Sequence, residues 1–445
     1  MPTDADAAPG FDVGLLSPVS AGRDAVVSDA AYAAALVRAE VALAQVLGSL
    51  GVAPRAPIEA FLAAAKPFEV DVAQLALDAV ADGNPVIPLV QRLRALVADV
   101  PDAGAWVHHG VTSQDIVDTA MSLLARDAIK QASRDLDRVV RALADLAERH
   151  RDTPAAARTL TQHAVPTTVG ARFADWLLQV ADARDELAAA EPPLQLGGAG
   201  GTLASHVEEF GHDVAVRIVA AYAQRLGLRA AEAPWHTRRT AVTRLGDALA
   251  RVTDALGRIA LDVATLSRTE IGELAEGSTG GSSAMPQKQN PARSVLIRSA
   301  ALRAPGLAAT LHVAAANAVD ERPDGAWHAE WPALRELLRI VLGSAGLGAG
   351  LVEGLVVHQD AVARNLAAGG GTIMAERLML VLAPVIGKER VQRIVVEANQ
   401  GGSITELLAA QPELAGRDLA AVLDPRGYLG IAGDIVDRAV ARGRS

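Results

Sequence analysis

The segment from Gly280 to Pro291 reads Gly-Gly-Ser-Ser-Ala-Met-Pro-Gln-Lys-Gln-Asn-Pro and contains residue types suited to acid–base chemistry on an anion. Its glycines make a flexible approach to two serines. Asn290-Pro291 predicts a helix start, because Asn is a favoured N-cap and Pro is favoured at the first helical position. Lys288 would then lie beside free N–H groups and a helix dipole that favour an anion. A flexible linker followed by a capped helix would fit the same residues.

A second segment runs from Trp106 to Thr119 and reads Trp-Val-His-His-Gly-Val-Thr-Ser-Gln-Asp-Ile-Val-Asp-Thr. Thr112 or Ser113, followed by acidic residues within one turn, predicts an N-cap and the start of a helix. By the residues alone, this is simply a good helix start.

A third segment, Arg158–Pro166, contains the pair Gln162-His163. A histidine with an ordinary pKa of about 6.5 suits proton transfer near neutrality. His163 is therefore a candidate acid–base group, and an interior histidine with satisfied hydrogen bonds is the alternative.

A fourth segment, Val319–Trp331, and the shorter Trp235–Arg239 combine tryptophan, histidine and charged residues. Arg239 and Arg322 have guanidinium groups that can bind a carboxylate through two parallel hydrogen bonds. Either arginine could equally serve in an interface ion pair.

Composition predicts the elements that must position these residues. The chain has 445 residues, 50% of them hydrophobic but only 3% aromatic, which is typical of closely packed helices rich in Ala, Leu and Val. A net charge of −10 argues against a nucleic-acid partner. There is no cysteine, no charge-free apolar stretch of spanning length and no apolar leader, so we expect a cytoplasmic protein outside the membrane.

Hydrophobic spacing predicts long helices. One seam alternates steps of four and three residues through Leu245, Leu249, Val252, Leu256, Ile259, Val263 and Leu266. A second seam follows Leu136, Val140, Leu143 and Ala147. Glycine and proline clusters near 99–104 and 343–350 predict three parts: an N-terminal helical domain (1–104), a central long-helix bundle (105–342) and a C-terminal helical domain (343–445).

Several other chemistries lack their motifs. The run Gly197–Thr202 has no Gly-Lys-Ser/Thr ending and follows no β-branched strand, so it is not a phosphate-binding loop. The sequence contains no His-Glu-x-x-His, no metal-ligand spacing of its ten histidines and no Gly-x-Ser-x-Gly elbow. We therefore expect no metal and no organic cofactor.

The first segment resembles the signature G-S-S-x-M-P-x-K-x-N-P of the fumarase/aspartase superfamily. In that family the first serine is the base that removes a proton alpha to a carboxylate, and Ser282 holds this place. A serine hydroxyl needs nearby positive potential to act as a base, and Lys288 and the helix start are its sources. The second segment resembles the superfamily's T-S-x-D-x-x-D-T, which implies that Thr112 and Ser113 bind substrate and that His108 lies near it.

The third and fourth segments resemble one branch, the 3-carboxy-cis,cis-muconate cycloisomerases. Adenylosuccinate lyases carry a general-acid histidine where this chain has Leu160, which cannot transfer a proton. The Gln162-His163 pair matches the cycloisomerase pattern, as do E-R-x-x-G-x-W-H-A-E-W at Glu321–Trp331 and W-H-T-x-R at Trp235–Arg239. The expected reaction is the lactonising step of protocatechuate breakdown in the beta-ketoadipate pathway.

The resemblance runs from Arg38–Ala44 to Gly371–Glu376 and implies an all-α fold of three helical domains. It further implies a homotetramer with a twenty-helix core, whose active sites combine three subunits and bind a small polycarboxylate. The implied catalytic residues are Ser282, His163 and Lys288. The implied substrate-binding residues are His108, Thr112, Ser113, Thr159, Gln162, Asn290, Arg239 and Arg322. Open alternatives are an adenylosuccinate-, argininosuccinate- or nitrosuccinate-type lyase, and a catalytically silent structural protein such as a lens crystallin.

Overall fold

The computed structural model of the chain describes residues 13–277, 280–281, 285 and 287–445. Most of these residues are helical, as the composition predicts. The α-helices are α1 Asp29–Ser49, α2 Arg55–Ala65, α3 Val72–Asp82, α4 Val86–Ala95, α5 Ser113–Arg149, α6 Val169–Ala189, α7 Ala204–Phe210, α8 His212–Leu226, α9 Thr240–Leu266, α10 Ala292–Ala316, α11 Gly325–Glu353, α12 Gln359–Ala367, α13 Ala375–Ile386, α14 Lys388–Asn399, α15 Ile404–Ala409, α16 Leu419–Leu423 and α17 Ala432–Arg444.

The strictly all-α expectation needs one correction. Two antiparallel strands, β1 (Pro154–Thr159) and β2 (Gln162–Thr168), form a hairpin over the third motif. A second pair, β3 (Leu274–Ala275) and β4 (Val356–Val357), is only two residues long on each side. The hairpin was not predicted because these strands are short and mix alanine and proline with β-branched residues. Their extended form is stabilised by pairing with each other.

The long helices follow the predicted seams. Every residue of the seam on α9 is at most 6% exposed, and the four seam positions on α5 are fully buried. The repeated four-three spacing keeps one face of each helix apolar over its whole length. The long-helix prediction is therefore confirmed for both segments.

The chain folds into two compact units, each made of three stretches. The first comprises Met1–Arg134, Arg184–Asp254 and Ser299–Gly346, and the second comprises Asp135–Ala183, Ala255–Arg298 and Leu347–Ser445. The three-domain division predicted from the sequence remains a proposal.

In the first unit, α1 packs against α2 and α8. The Tyr222 hydroxyl of α8 donates a 3.0 Å hydrogen bond to the Ala39 carbonyl of α1, and both residues are buried. By length and composition α1 could cross a membrane, and so could the bent pair of α12 with Thr372–Ile386. However, 56% of the most apolar window of α1 is buried against the rest of the protein, as in an ordinary core helix.

In the second unit, the hairpin is anchored to the C-terminal helices. Ala156 of β1 belongs to a buried apolar cluster that otherwise comes from the region between Ile373 and Leu414, including Leu378, Leu382 and Val391. Packing of α12 against β1 adds to this anchor. The third motif therefore lies on a strand pair that is anchored by a buried residue of β1.

The first unit also contains a buried ion-pair network centred on Arg239. Its guanidinium contacts Asp118 at 2.8 Å and Glu330 at 2.6 Å, lies 4.8 Å from the centre of the Trp235 ring, and is only 3% exposed. The Trp327 indole N–H donates to Asp118 at 3.0 Å. The second segment, Trp235–Arg239 and the fourth segment thus meet at the carboxylate of Asp118.

Burial acts to lower the pKa of Arg239, but the Asp118 and Glu330 carboxylates outweigh it and raise this pKa above its usual value. Burial also raises the pKa of Glu330, against the opposing effect of Arg239. Because all these donors and acceptors are engaged with one another, the geometry favours a structural role for Arg239 over the substrate-carboxylate role considered from the sequence.

We expect Arg239→Met to lower the free energy of unfolding by about 3–5 kcal/mol, because it leaves two buried carboxylates without a neutralising cation. Urea denaturation followed by circular dichroism measures this loss. The matched control is Arg251→Met, which removes an exposed pair with Glu186 and should cost about 0–1 kcal/mol. Equal losses in the two variants would contradict the assignment of the network as structural.

Candidate active site

The helix start predicted in the second motif is confirmed. α5 begins at Ser113, and the backbone N–H of Thr112 donates to the Asp115 Oδ2 atom at 3.0 Å. The backbone N–H of Asp115 in turn donates to the Thr112 carbonyl at 3.0 Å. The first of these bonds is one half of a capping box, in which an acidic side chain binds back to the N–H of the cap residue, and the second is an ordinary backbone turn. The hydroxyls of Thr112 and Ser113 therefore lie on a helix start with a fixed geometry.

The turn before this helix is held by close contacts. His108 and Gly110 both have left-handed backbone conformations, with φ of 62° and 70°. A Cβ atom on Gly110 would lie 2.3 Å from the Nε2 atom of His206, so this position requires glycine. The Nδ1 atom of His108 is 2.6 Å from the buried Glu40 carboxylate, which fixes the orientation of the imidazole.

The neighbouring His109 has a structural environment. Its Nδ1 atom is 3.0 Å from the Ala105 carbonyl, and its Nε2 atom is 2.6 Å from Glu209. The ring also stacks on Trp106 at a centroid distance of 4.5 Å. Both ring nitrogens are therefore engaged within the protein.

The Asp115 carboxylate joins the helix start to the glycine-rich loop 197–201. It is fully buried and accepts hydrogen bonds from the backbone N–H groups of Gly197 at 2.8 Å and Gly198 at 2.9 Å. The Nε2 atom of His236 contacts the same carboxylate at 2.8 Å. With the bond from Thr112, four donors surround one anion, which fixes three separate segments relative to one another.

Arg322 extends this arrangement. Its Nη2 atom donates to the Ala199 carbonyl of the glycine-rich loop at 2.9 Å, while the side chain remains exposed. Within the first unit, the structure thus connects the turn bearing His108, Thr112 and Ser113 to Arg322 through one loop.

The third motif forms the tip of the β1–β2 hairpin. Thr159 pairs with Gln162, so Leu160 and Thr161 are the two central residues of a tight turn. Both have positive φ values, 47° and 73°, which cost conformational energy in residues other than glycine. Leu160 is 96% exposed. This strained and exposed tip presents the polar residues on either side of it.

His163 is exposed, so it is not an interior histidine with satisfied hydrogen bonds. Together with Gln162 it lines a cleft of about 1080 Å³ in the second unit. Arg158, Arg172 and Asn365 line the same cleft, whose described lining does not include Lys288 or Asn290. The imidazole of His163 is therefore accessible to a ligand, as an acid–base group must be.

Below the hairpin tip lies the buried carboxylate of Glu273. Arg158 contacts it at 2.5 Å, Arg172 at 3.4 Å, and the Asn365 amide donates to it at 2.9 Å. Burial acts to raise the pKa of Glu273, but the hydrogen bonds from Arg158 and Asn365 and the two positive charges outweigh it, so this pKa is lowered. Burial lowers the pKa of Arg172, and the charge of Arg158 adds to this effect. The carboxylate thus ties the hairpin to α6 and α12.

The glycine-rich segment of the first motif is described only in part, and Ser282 lies outside the described residues. Gly280 and Asn290 form an antiparallel bridge with N–H to carbonyl distances of 2.9 and 3.1 Å. The Asn290 amide also donates to the Gly281 carbonyl at 3.3 Å. Lys288 is exposed. The described ends of the segment are therefore paired with each other through Gly280 and Asn290.

The predicted helix start after this loop is confirmed, since α10 begins at Ala292. The expectation that its first N–H groups are free was wrong. The Glu276 carboxylate accepts from the backbone N–H groups of Arg293 at 3.2 Å and Ser294 at 2.8 Å, and from the Ser294 hydroxyl at 2.7 Å. Because Glu276 is only 4% exposed, a buried side chain of the protein already supplies the anion that this helix start attracts.

Four buried groups that position these residues were not predicted from the sequence: Asp115 as an anchor, His236, Glu273 and Glu276. Their long-range partners lie between 17 and 121 residues away along the chain. Asp115 and His236 lie inside the quoted motifs, where no local pattern indicates that they are buried, and Glu273 and Glu276 are isolated acidic residues, which are also typical of an exposed surface. Among the described residues, no group of three or more His, Asp or Glu could hold a metal ion.

A pH dependence follows from Glu273. Since its folded pKa lies below its ordinary value of 4.5, the stability that it contributes is present above about pH 4.5 and is lost as the pH falls through the lower folded value. We expect the melting temperature of the wild type to fall more steeply between about pH 5.5 and 3.5 than that of Glu273→Gln. Differential scanning calorimetry over this range measures both slopes, and parallel curves would refute the prediction.

The chain is similar to known proteins over most of its length. A family model described as "Lyase" matches residues 23–306. A nitrosuccinate lyase of Streptomyces davaonensis is 46% identical over an alignment that covers 96% of this chain and 94% of that protein. A 3-carboxy-cis,cis-muconate cycloisomerase of Pseudomonas aeruginosa is 39% identical and covers 94% and 93%.

Among solved structures, the crystal structure of the 3-carboxy-cis,cis-muconate lactonizing enzyme from Pseudomonas putida matches with a TM-score of 0.86. The sequence identity is 34%, and the match covers 94% of this chain and 95% of that one. Similarity in sequence and fold thus extends over nearly the whole chain, and the protein belongs to the fumarase/aspartase superfamily of lyases.

Proposed function

We propose that the protein is a 3-carboxy-cis,cis-muconate cycloisomerase, which lactonises this substrate to 4-carboxymuconolactone. A carboxylate of the substrate adds to a double bond within the same molecule, and a proton is delivered to the neighbouring carbon. In reverse, a proton leaves the carbon alpha to a carboxylate, and the carbon–oxygen bond at the beta carbon breaks with its electron pair going to the leaving carboxylate. Relatives named for this activity, and the motif at Glu321–Trp331, support the proposal.

The observation that carries the proposed leaving-group chemistry is Leu160 at the hairpin tip. An amine leaving group departs as a strongly basic nitrogen unless an acid protonates it, and a leucine cannot do so. A carboxylate has a pKa of about 4 and is stable as an anion at neutral pH. A site with Leu160 in this place therefore suits a leaving group that needs no proton.

The assigned roles follow the chemistry of the reaction. Ser282 takes the proton from the alpha carbon in the elimination direction and returns it to that carbon in lactonisation, and the exposed ammonium of Lys288 in the same segment supplies positive potential. His163, exposed beside the tip, is the second acid–base group.

The negative charge that develops at the alpha carbon spreads onto the substrate carboxylate. We assign its stabilisation to donors from Thr112, Ser113 and Asn290, because preorganised donors stabilise developing charge strongly. Arg322, Thr159, Gln162 and His108 complete the proposed binding site. Assembly into a homotetramer with active sites shared between subunits, a cytoplasmic location and independence from cofactors belong to the same proposal.

A second candidate is a nitrosuccinate lyase, and the 46% identity to the Streptomyces davaonensis enzyme favours it. In that reaction a proton leaves the alpha carbon, the carbon–nitrogen bond breaks, and fumarate and nitrite are the products. Nitrite is also a weakly basic anion, so Leu160 suits this leaving group equally. The two candidates differ in substrate and share the base and the anion-binding groups.

Parallel substrate assays separate the candidates. We expect the purified protein to consume 3-carboxy-cis,cis-muconate, measured as loss of diene absorbance, and to leave adenylosuccinate and argininosuccinate unchanged, because Leu160 provides no general acid. Nitrosuccinate is assayed beside them by release of nitrite. Nitrite release without diene loss would replace the first candidate by the second. Turnover of adenylosuccinate would refute the proposal that Leu160 restricts the reaction to leaving groups that need no proton.

The role of Ser282 is tested by substitution. Ser282→Ala should lower kcat by about 100-fold to 10,000-fold, since it removes the general base, with a much smaller change in KM. Ser283→Ala is the matched control in the same loop and should keep kcat within about threefold of the wild type. Full activity of Ser282→Ala, or an equal loss in both variants, would exclude Ser282 as the base.

A further inference from the structure

The first unit contains a buried carboxylate–imidazole pair that the proposed chemistry does not use. His236 is 4% exposed and Asp115 is fully buried, and the Nε2 atom of His236 lies 2.8 Å from Asp115 Oδ1. The other ring nitrogen, Nδ1, is buried without a hydrogen-bond partner among the described residues. Because Asp115 can only accept at this contact, the Nε2 atom carries the ring proton, and its N–H donates a hydrogen bond to the carboxylate.

The His236 ring also packs directly against the glycine-rich loop. A Cβ atom on Gly197 would lie 2.8 Å from the Cε1 atom of His236, so the loop approaches the ring more closely than any side chain would allow. The backbone of His236 is held from α5, because the Gln114 amide donates to its carbonyl at 2.9 Å. The imidazole is thus both a hydrogen-bond donor to Asp115 and a steric support for the loop.

Two proposed substrate-binding groups depend on this contact. Asp115 binds the backbone N–H of Thr112 and, on the other side, the N–H groups of Gly197 and Gly198. The loop continues to Ala199, whose carbonyl accepts from Arg322. A displacement of the loop would therefore move the hydroxyl groups at the helix start relative to the guanidinium.

We propose that His236 is a positioning residue, which acts through Asp115 to hold the glycine-rich loop 197–201 against the start of α5. It contacts neither the reacting atoms nor the substrate, and it fixes the spacing between Thr112 and Arg322. The inference rests on the proposed function only in taking those two residues as substrate-binding groups. The consequence of losing His236 is a poorly formed binding site with an intact acid–base apparatus.

Kinetics test the role in catalysis. His236→Ala should raise KM by about 10-fold to 100-fold, since small displacements of binding groups cost this much, and should lower kcat by a smaller factor, because Thr112 also stabilises the developing charge. His236→Gln should keep a nearly normal KM, because its amide can reach Asp115 as a donor. Imidazole added to His236→Ala should restore part of the lost affinity.

The matched control is His312→Ala, which removes an exposed histidine paired with Asp247 at 2.9 Å and should leave KM unchanged. Thr112→Ala serves as the reference for the binding site itself. If Thr112→Ala raises KM and His236→Ala does not, the positioning role is refuted while the proposed site stands. If neither variant changes KM, the proposed site is refuted.

A second measurement does not depend on turnover. Hydrogen–deuterium exchange of the amides of Gly197 and Gly198 should be about tenfold faster in His236→Ala than in the wild type, because their acceptor is no longer fixed. His236→Gln and His312→Ala should exchange like the wild type. Unchanged protection in His236→Ala would overturn the inference whatever the substrate proves to be. If His236→Ala does not fold, His236→Asn, whose shorter amide does not reach Asp115, replaces it in both experiments.

Discussion

The first unit is organised by two carboxylates buried on the first turns of α5. Asp115 and Asp118 are at most 3% exposed, and a buried carboxylate is stable only when donors surround it. Asp115 therefore requires the glycine-rich loop and His236, and Asp118 requires Arg239 and Trp327. These donors come from three other stretches of the chain, the glycine-rich loop, Trp235–Arg239 and Val319–Trp331, so this requirement brings the motifs of the first unit together.

The second unit is also organised by two buried carboxylates. Glu273 and Glu276 are also buried and three residues apart, and they hold two different segments. Glu273 binds the arginines beneath the hairpin, and Glu276 caps α10 after the glycine-rich segment. In both units, buried acidic side chains accept hydrogen bonds from amide or guanidinium groups. These groups could otherwise bind a substrate anion. The groups left for a ligand are exposed ones, such as Lys288, His163 and Arg322.

This arrangement is compatible with the proposed polycarboxylate substrate although the chain has a net charge of −10. The overall charge describes solubility and long-range association, whereas binding depends on a few local donors. The hairpin tip adds a chemical constraint of a different kind. Its exposed Leu160, in a left-handed conformation, stands next to polar residues without offering a proton. A leaving group that is stable as an anion meets this constraint, and carboxylate and nitrite both do.

What the sequence determined by itself is local. The four-three spacing of Leu245 to Leu266 predicted a long helix with one buried face, because neighbouring residues alone set helical periodicity. The Thr112–Asp115 spacing predicted the start of α5, and Asn290-Pro291 predicted the start of α10, because capping groups lie within a few residues of each other. The motifs also identified the superfamily, and with it the candidate catalytic groups.

Tertiary structure decided everything that depends on partners far away in the chain. The β1–β2 hairpin forms because its strands pair with each other and pack on C-terminal helices, which no local pattern of Pro154–Thr168 reveals. The sequence left Arg239 between substrate binding and an ion pair, and only the approach of Asp118 and Glu330 favours the ion pair. Burial likewise decided that Asp115 is the acceptor for Gly197 and His236 and that Glu276 caps α10. A carboxylate that is removed from water needs hydrogen-bond donors, and the tertiary fold determines which donors lie near it.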